Sequence, residues 1–116
     1  MLRAIVIESS PMELAWLVEM IVSCDACVEG CFSKTKGLVK KILELKPDIV
    51  FLDAVIGQMD GLMVGRRIRD GDDGIKLIFL AEDGKYAAEA YSVGATDFLL
   101  KPLIKERVAM ALGRVG

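Results

Sequence analysis

The sequence predicts an α/β domain in which a five-stranded parallel sheet is covered by helices on both faces. Short apolar runs alternate with amphipathic helical patterns along the 116 residues. These runs are too short for helices and are typical of strands buried on both faces. Parallel strands need right-handed crossovers, which place the helices on the two faces. No linker or repeat intervenes, so we interpret residues 1–116 as one domain.

The strands are predicted from the apolar runs. They span residues 4–7, 28–32, 48–52, 76–80 and 96–100. The first run, AIVI, is continuous and too short for a helix. The third, DIVFL, is the clearest strand, and it ends directly before Asp53.

The helices are predicted from caps and apolar spacing. Ser10, Pro11 and Glu13 form a strong helix start, with the cap, the first helical residue and a Glu three residues after the cap. Pro47 ends the second helix, and Gly94 suits the C-cap of the fourth. The later helices are predicted over residues 38–45, through Val64 and Ile68, over residues 85–93 and over residues 104–112.

Two local clusters could suggest a metal, and we interpret both as structural. Cys24, Cys27 and Cys31 lack a fourth Cys or any His, so a closed tetrahedral site is hard to complete. The favoured interpretation is a helix end followed by a buried strand, with cysteine as a small hydrophobe. Residues 70–74 (DGDDG) lack the later bidentate Glu of a calcium loop and are interpreted as a solvated connection.

Composition, net charge and the lengths of the apolar runs limit what the chain can bind. The chain is 53% hydrophobic and 28% charged, as expected for a globular domain, and its net charge of −2 gives no general attraction to nucleic acid or anionic membrane. No apolar run is long enough to span a bilayer, and the first residues do not resemble a signal peptide. We therefore expect a cytoplasmic location and no direct nucleic-acid or membrane binding by these residues.

Several residues, most of them polar or charged, follow the strands at the edge where ligands bind in open α/β sheets. We expect six of them to face one another: Glu8, Ser9, Asp53, Ala81, Glu82 and Lys101. Converging carboxylates repel, and a divalent cation relieves that repulsion while holding a phosphoryl group. A lysine offers the same anion a mobile positive charge. A carboxylate placed there can attack phosphorus and become an acyl phosphate.

Four motifs, spread over essentially the whole chain, resemble the receiver domain of two-component response regulators. They are residues 6–11 (VIESSP), 47–53 (PDIVFLD), 59–61 (MDG) and 94–102 (GATDFLLKP). The resemblance implies a flavodoxin-like (β/α)5 receiver fold with strand order 2-1-3-4-5. Residues 86–91 (YAAEAY) look most like receivers that precede LytTR-type DNA-binding domains.

The resemblance also implies the roles of individual residues. Asp53 would be the phosphoacceptor, and Lys101 would contact the phosphate and precede a cis peptide at Pro102. Mg²⁺ would be held by Asp53, by the acidic pair that begins with Glu8, and by the backbone carbonyl of Val55. Phe98 would be the aromatic that changes rotamer on activation.

Three residues depart from the family pattern. Ser9 lies where the family has its direct metal-binding Asp, and a hydroxyl is a poor substitute, so metal affinity should fall. Ala81 lies where the family has Thr or Ser, so it cannot make a hydrogen bond worth about 1.5–3 kcal/mol to the phosphoryl group. Gly57 replaces a Pro and is expected only to loosen the loop after Asp53.

Three functional hypotheses follow. In the first, the domain takes a phosphoryl group from a histidine kinase or phosphotransfer protein onto Asp53 and alters a partner or output domain. The alternative, motivated by Ser9 and Ala81, is a pseudo-receiver that binds partners or dimerises without phosphorylation. A phosphatase on a related fold ranks last, because Val55 replaces its second Asp, so we do not predict an enzyme. The sequence leaves open pairing through the face that carries Phe98, and a longer regulator of which this domain is the N-terminal part.

Overall fold

The predicted strands form one parallel sheet in the computed structural model, which describes residues 1–115. The strands are β1 (Arg3–Ile7), β2 (Cys27–Phe32), β3 (Ile49–Asp53), β4 (Val55–Ile56), β5 (Met59–Asp60), β6 (Lys76–Ala81) and β7 (Asp97–Leu100). The sheet has the order β2-β1-β3-β6-β7, while β4 and β5 form a separate antiparallel pair. Counted along the sheet strands alone, this is the predicted order 2-1-3-4-5, so the fold class is confirmed.

Helices follow the strands as predicted. They are α1 (Pro11–Ser23), α2 (Leu38–Leu45), α3 (Gly61–Gly71), α4 (Ala87–Ser92) and α5 (Lys105–Val115). A 3₁₀ turn at Gly84–Tyr86 takes the place of the predicted start of the fourth helix. Within residues 1–115, no helix is both long and apolar enough to cross a membrane.

Two layers of helices cover the sheet, because successive side chains of a buried strand point to opposite faces. On one face, Leu17 of α1 and Val108 of α5 pack with Phe51 of β3 in one buried cluster. On the other face, α2, α3 and α4 pack against the neighbouring residue Leu52. All five residues of β3 are buried, so the strand that leads to Asp53 is fixed from both sides.

The interpretation of the second strand as buried is wrong. β2 pairs only with β1 at an edge of the sheet, and its residues Glu29 and Cys31 share an exposed face, whereas the other edge strand, β7, buries Asp97 and Leu99. Cys24 is the C-cap residue of α1, and Cys27 and Cys31 lie on β2, with Cys31 exposed. All three are free thiols. An apolar run gives no information on whether a strand has one neighbour or two.

The short strand pair β4 and β5, which lies directly after Asp53, is not among the predicted strands. Gly57 sits in the turn of this pair with φ of 62°, a left-handed conformation that proline cannot adopt. Gly57 therefore permits a tight turn here rather than only loosening a loop. The predicted loop at residues 70–74 also begins later, because α3 continues through Gly71.

Candidate active site

The residues at the strand ends converge on one cavity of about 360 Å³ at the carboxyl edge of the sheet. Its lining includes every strand-end residue named from the sequence, together with Val55: Glu8, Ser9, Asp53, Val55, Ala81, Glu82 and Lys101. Five carboxylates and two lysines line the cavity, because Glu13, Asp83 and Lys85 also contribute to its wall. An anion entering this cavity therefore meets an excess of negative charge unless a cation accompanies it.

Asp53 lies at the floor of the cavity and is only 6% exposed. Backbone pairing holds it in place, since β3 pairs with β6 and the N–H of Ala54 donates to the carbonyl of Leu80 at 2.8 Å. The Oδ1 atom accepts a hydrogen bond from the N–H of Val55 at 2.9 Å. The Oδ2 atom pairs with the ammonium of Lys101. Asp53 is thus a fixed carboxylate that faces the cavity.

Lys101 follows β7 and reaches into a cluster of three carboxylates. Its backbone N–H donates to the carbonyl of Ala81 at 2.8 Å, and the peptide bond to Pro102 is cis, as the resemblance implies. Besides Asp53, its Nζ lies 2.8 Å from Glu8 Oε2 and 2.9 Å from Glu13 Oε2. Burial lowers the pKa of Lys101, but the three carboxylates raise it by more, so the pKa lies above its ordinary value. Lys101 is therefore a permanent cation at this site.

Glu8 is the most enclosed carboxylate in the cavity, at 2% exposed. Its Oε1 accepts a hydrogen bond from the N–H of Ser10 at 3.1 Å. Its Oε2 lies near Lys101 but in a direction unsuited to a hydrogen bond, so it is the one buried side-chain oxygen in residues 1–115 that accepts none. Burial raises the pKa of Glu8, and the nearby Lys101 and Ser10 N–H oppose that shift without cancelling it.

Glu13 belongs to this site, although it is not among the residues predicted to face one another there. Its position three residues after Ser10 predicts only a helix start. The Ser10 hydroxyl does accept a hydrogen bond from the N–H of Glu13, at 3.4 Å. The Glu13 side chain, however, points to Lys101, and Glu8 takes the Ser10 N–H that a capping box would give to Glu13. Glu13 lies four residues after Ser9, where a carboxylate is missing, and this short separation is the signal that could have suggested it.

The departures from the family pattern lie where the sequence analysis expected them. Ser9 lines the cavity beside Glu8, so the hydroxyl is present where an acidic group would otherwise stand. Ala81 is 2% exposed and lines the same cavity with a methyl group. Phe98 does not line the cavity; it lies half-buried on β7 and packs against the cluster on the α2, α3 and α4 side.

A turn built around Gly61 supports the position of Asp53. Asp60 caps α3 by accepting the N–H groups of Leu62 and Met63 at 2.9 and 3.3 Å. The N–H of Gly61 donates to the carbonyl of Ala54 at 2.8 Å. This brings Gly61 so close to β3 that a Cβ on it would lie 1.8 Å from the Asp53 carbonyl oxygen. Only glycine fits between α3 and the end of β3.

Comparisons with known proteins identify similar domains. A family model described as "Response regulator receiver domain" matches residues 4–112. The chain is 31% identical over 116 residues to the chemotaxis protein CheY of Thermotoga maritima, covering 98% of this chain and 97% of that protein. It is 27% identical over 117 residues to the transcriptional regulatory protein LytR of Staphylococcus aureus, covering 98% of this chain and 47% of LytR. The chain thus spans about half the length of LytR.

Solved structures agree on the fold. The crystal structure of a DNA-binding response regulator of the LuxR family from Staphylococcus aureus matches with a TM-score of 0.89 and 24% identity. That match covers 99% of this chain and 98% of the other. At this identity the likeness shows the fold alone.

Proposed function

Since the chain belongs to the response regulator receiver domain family of two-component signalling, we propose that it accepts a phosphoryl group on Asp53. The single observation that carries the proposal is the pairing of Asp53 with the ammonium of Lys101 on the floor of the cavity. A buried nucleophile beside a permanent cation is what transfer of a dianionic group needs.

The proposed reaction is a direct displacement at phosphorus. A carboxylate oxygen of Asp53 attacks the phosphoryl group of a phosphohistidine. The bond from phosphorus to the donor nitrogen breaks as the new O–P bond forms, and the leaving imidazole takes up a proton from solvent. Lys101 now balances the charge of Asp53, and its ammonium can turn to the oxygens of the transferred group. The Val55 N–H keeps the Asp53 carboxylate oriented throughout.

We further propose that the site works with Mg²⁺. The donor set fits a hard cation, because carboxylate oxygens converge on the cavity and Glu8 Oε2 is buried without a hydrogen bond. Glu8, Asp53 and the backbone carbonyl of Val55 would hold the ion, while Ser9 offers only a neutral hydroxyl. When bound, Mg²⁺ supplies positive charge that draws the phosphoryl group into an acidic cavity.

The pseudo-receiver is the alternative, and Ala81 is the observation in its favour. Its buried methyl group cannot accept or donate a hydrogen bond, so the usual link from the phosphoryl group towards Phe98 is weakened. The cluster of Asp53 with Lys101 supports the phosphoacceptor instead, since a buried ion pair adds little net stability by itself and phosphoryl transfer gives it a role. A pseudo-receiver predicts that Asp53→Ala leaves partner binding and cellular output unchanged.

The remaining parts of the proposal concern the setting. We propose a cytoplasmic domain that receives phosphoryl groups from a histidine kinase or a phosphotransfer protein. It would not turn over other substrates, beyond its own phosphorylation and dephosphorylation. The matches cover 97% of CheY and 47% of LytR, so the relatives include both a protein of this length and a longer regulator. Any direct output, including DNA binding, would belong to a partner or to a further domain of a longer regulator. A homodimer would form through the face that carries Phe98.

Intact mass after incubation with acetyl phosphate tests the central proposal. We expect wild-type protein to gain the mass of one phosphoryl group in the presence of Mg²⁺, and much less without it. Asp53→Ala should gain nothing, since it lacks the nucleophile. Asp70→Ala, a change at an exposed carboxylate on α3, should behave as wild type. A folded wild-type protein that gains no phosphoryl group with ample Mg²⁺ would rule the proposal out.

A further inference from the structure

We propose that Glu13 replaces the carboxylate missing at Ser9 and holds a divalent cation together with Glu8 and Asp53. The inference rests on the proposed Mg²⁺ site and goes beyond it by assigning the third acidic ligand to a residue of α1. It explains how this chain keeps a cation site although the residue after Glu8 is neutral.

The first support is the position of the three carboxylates. One oxygen each from Glu8, Glu13 and Asp53 lies within 4.8 Å of the other two, so a single ion could contact all three. Within residues 1–115, this is the only group of three Asp, Glu, Cys or His side chains so arranged. Ser9 lies on the same cavity wall but has no charge to offer.

The second support is a buried oxygen without a hydrogen bond. Glu8 is 2% exposed, and its Oε2 accepts no hydrogen bond, although the Lys101 ammonium lies 2.8 Å from it. Burying a carboxylate oxygen without a hydrogen bond is costly, and a metal ion would coordinate this oxygen when Lys101 turns to a phosphoryl group. This observation is independent of Glu13 and points to a ligand at the same place.

The third support is that Glu13 is not engaged elsewhere on its own helix. The Ser10 N–H, its expected capping partner, donates to Glu8, and the Glu13 Oε2 lies 2.9 Å from Lys101 Nζ instead. The Lys101 ammonium already sits among the three carboxylates, so their oxygens converge on positive charge. Once a cation takes over these carboxylates, Lys101 is free to contact the phosphoryl group.

The test is cation binding measured without phosphorylation. Mn²⁺ binding can be followed by the loss of its free-ion EPR signal. Mg²⁺ binding can be followed by the fluorescence of Trp16, the only tryptophan, which shares a small cleft with Glu13 and Lys101. We expect Glu13→Gln to weaken binding roughly tenfold or more, because it removes one charged oxygen ligand. Glu13→Asp keeps the charge but shortens the side chain, and it should weaken binding as well.

Matched variants separate ligation from general charge. Glu19→Gln removes an exposed carboxylate from the same helix and should bind as wild type. Adding Ser9→Asp to Glu13→Gln should restore affinity, since it returns a carboxylate to the family position. Normal cation binding by either Glu13→Gln or Glu13→Asp overturns the inference. So does a wild-type protein that binds neither Mn²⁺ nor Mg²⁺. If Glu8→Gln loses cation binding, and Glu13→Gln keeps both cation binding and phosphorylation of Asp53, the proposed function stands without this inference.

Discussion

Replacing Gly61 with alanine is expected to lower the free energy of unfolding by about 3 kcal/mol or more and to abolish phosphorylation of Asp53. The added Cβ would lie 1.8 Å from the Asp53 carbonyl oxygen and 2.9 Å from its carbonyl carbon. Both are backbone atoms, so no change of rotamer relieves the contact. Either α3 or the end of β3 must move, and the proposed nucleophile moves with it. Urea unfolding and intact mass with acetyl phosphate measure the two effects.

Gly113→Ala is the matched control, because it adds the same methyl group at a glycine where the new Cβ meets no atom within 4 Å outside the backbone of its own helix and its chain neighbours. Gly113 is exposed on α5, where alanine stabilises the helix by about 1 kcal/mol relative to glycine. We expect this variant to be at least as stable as wild type and fully phosphorylated. Wild-type stability and normal phosphorylation of Gly61→Ala would contradict the account of the turn after Asp53.

Replacing Asp97 with asparagine is expected to cost about 2–3 kcal/mol of stability. Asp97 is fully buried at the start of β7. Its oxygens pair with two arginines of α5, at 3.0 Å from each of two nitrogens of Arg107 and 2.9 Å from Arg114, and Oδ1 also accepts the N–H of Phe98 at 2.8 Å. The arginine side chains are 34% and 50% exposed, so water screens part of the loss. Chemical denaturation at neutral pH measures the difference, with the exposed Asp70→Asn as the control.

The same variant should reveal an acid-dependent part of the stability. Burial alone would raise the pKa of Asp97, but hydrogen bonds from Arg107 and from the Phe98 N–H outweigh it, so the pKa lies below its ordinary value of 3.8. A depressed pKa means that ionised Asp97 stabilises the fold fully above about pH 4, and that this contribution is lost as pH falls through the lower, folded pKa. The stability difference between wild type and Asp97→Asn should be constant from pH 8 to about pH 5 and shrink below about pH 4. A difference that stays unchanged down to pH 2 would refute this role for the carboxylate.

Periodicity and strand length were enough to predict the sheet, because buried parallel strands need continuous apolar runs such as residues 49–52. The same rules predicted the start of α1 at Ser10 and Pro11. They failed at β2, because how far an edge strand is covered depends on its tertiary neighbours. They also missed the pair of β4 and β5, whose two-residue strands are too short to show an alternating pattern.

The convergence of Glu8, Asp53 and Lys101 follows from the sequence, because parallel strands end at one edge and each of these residues comes just after or at the end of a strand. The neutral side chains of Ser9 and Ala81 at the site were also predictable, from the sequence together with its resemblance to the family. The steric demand on Gly61 was not predictable, because the motif shows a turn but not the backbone packed against it.

The role of Glu13 was decided by tertiary structure alone. By sequence it is a helix-start residue, because capping is a local interaction between residues three apart. In the folded chain it pairs with Lys101, 88 residues away, while Glu8 takes its expected partner. A charged side chain with several possible partners pairs with the group that attracts it most strongly, which for Glu13 is the Lys101 ammonium. That attraction exists only once strands β1, β3 and β7 have brought their ends together.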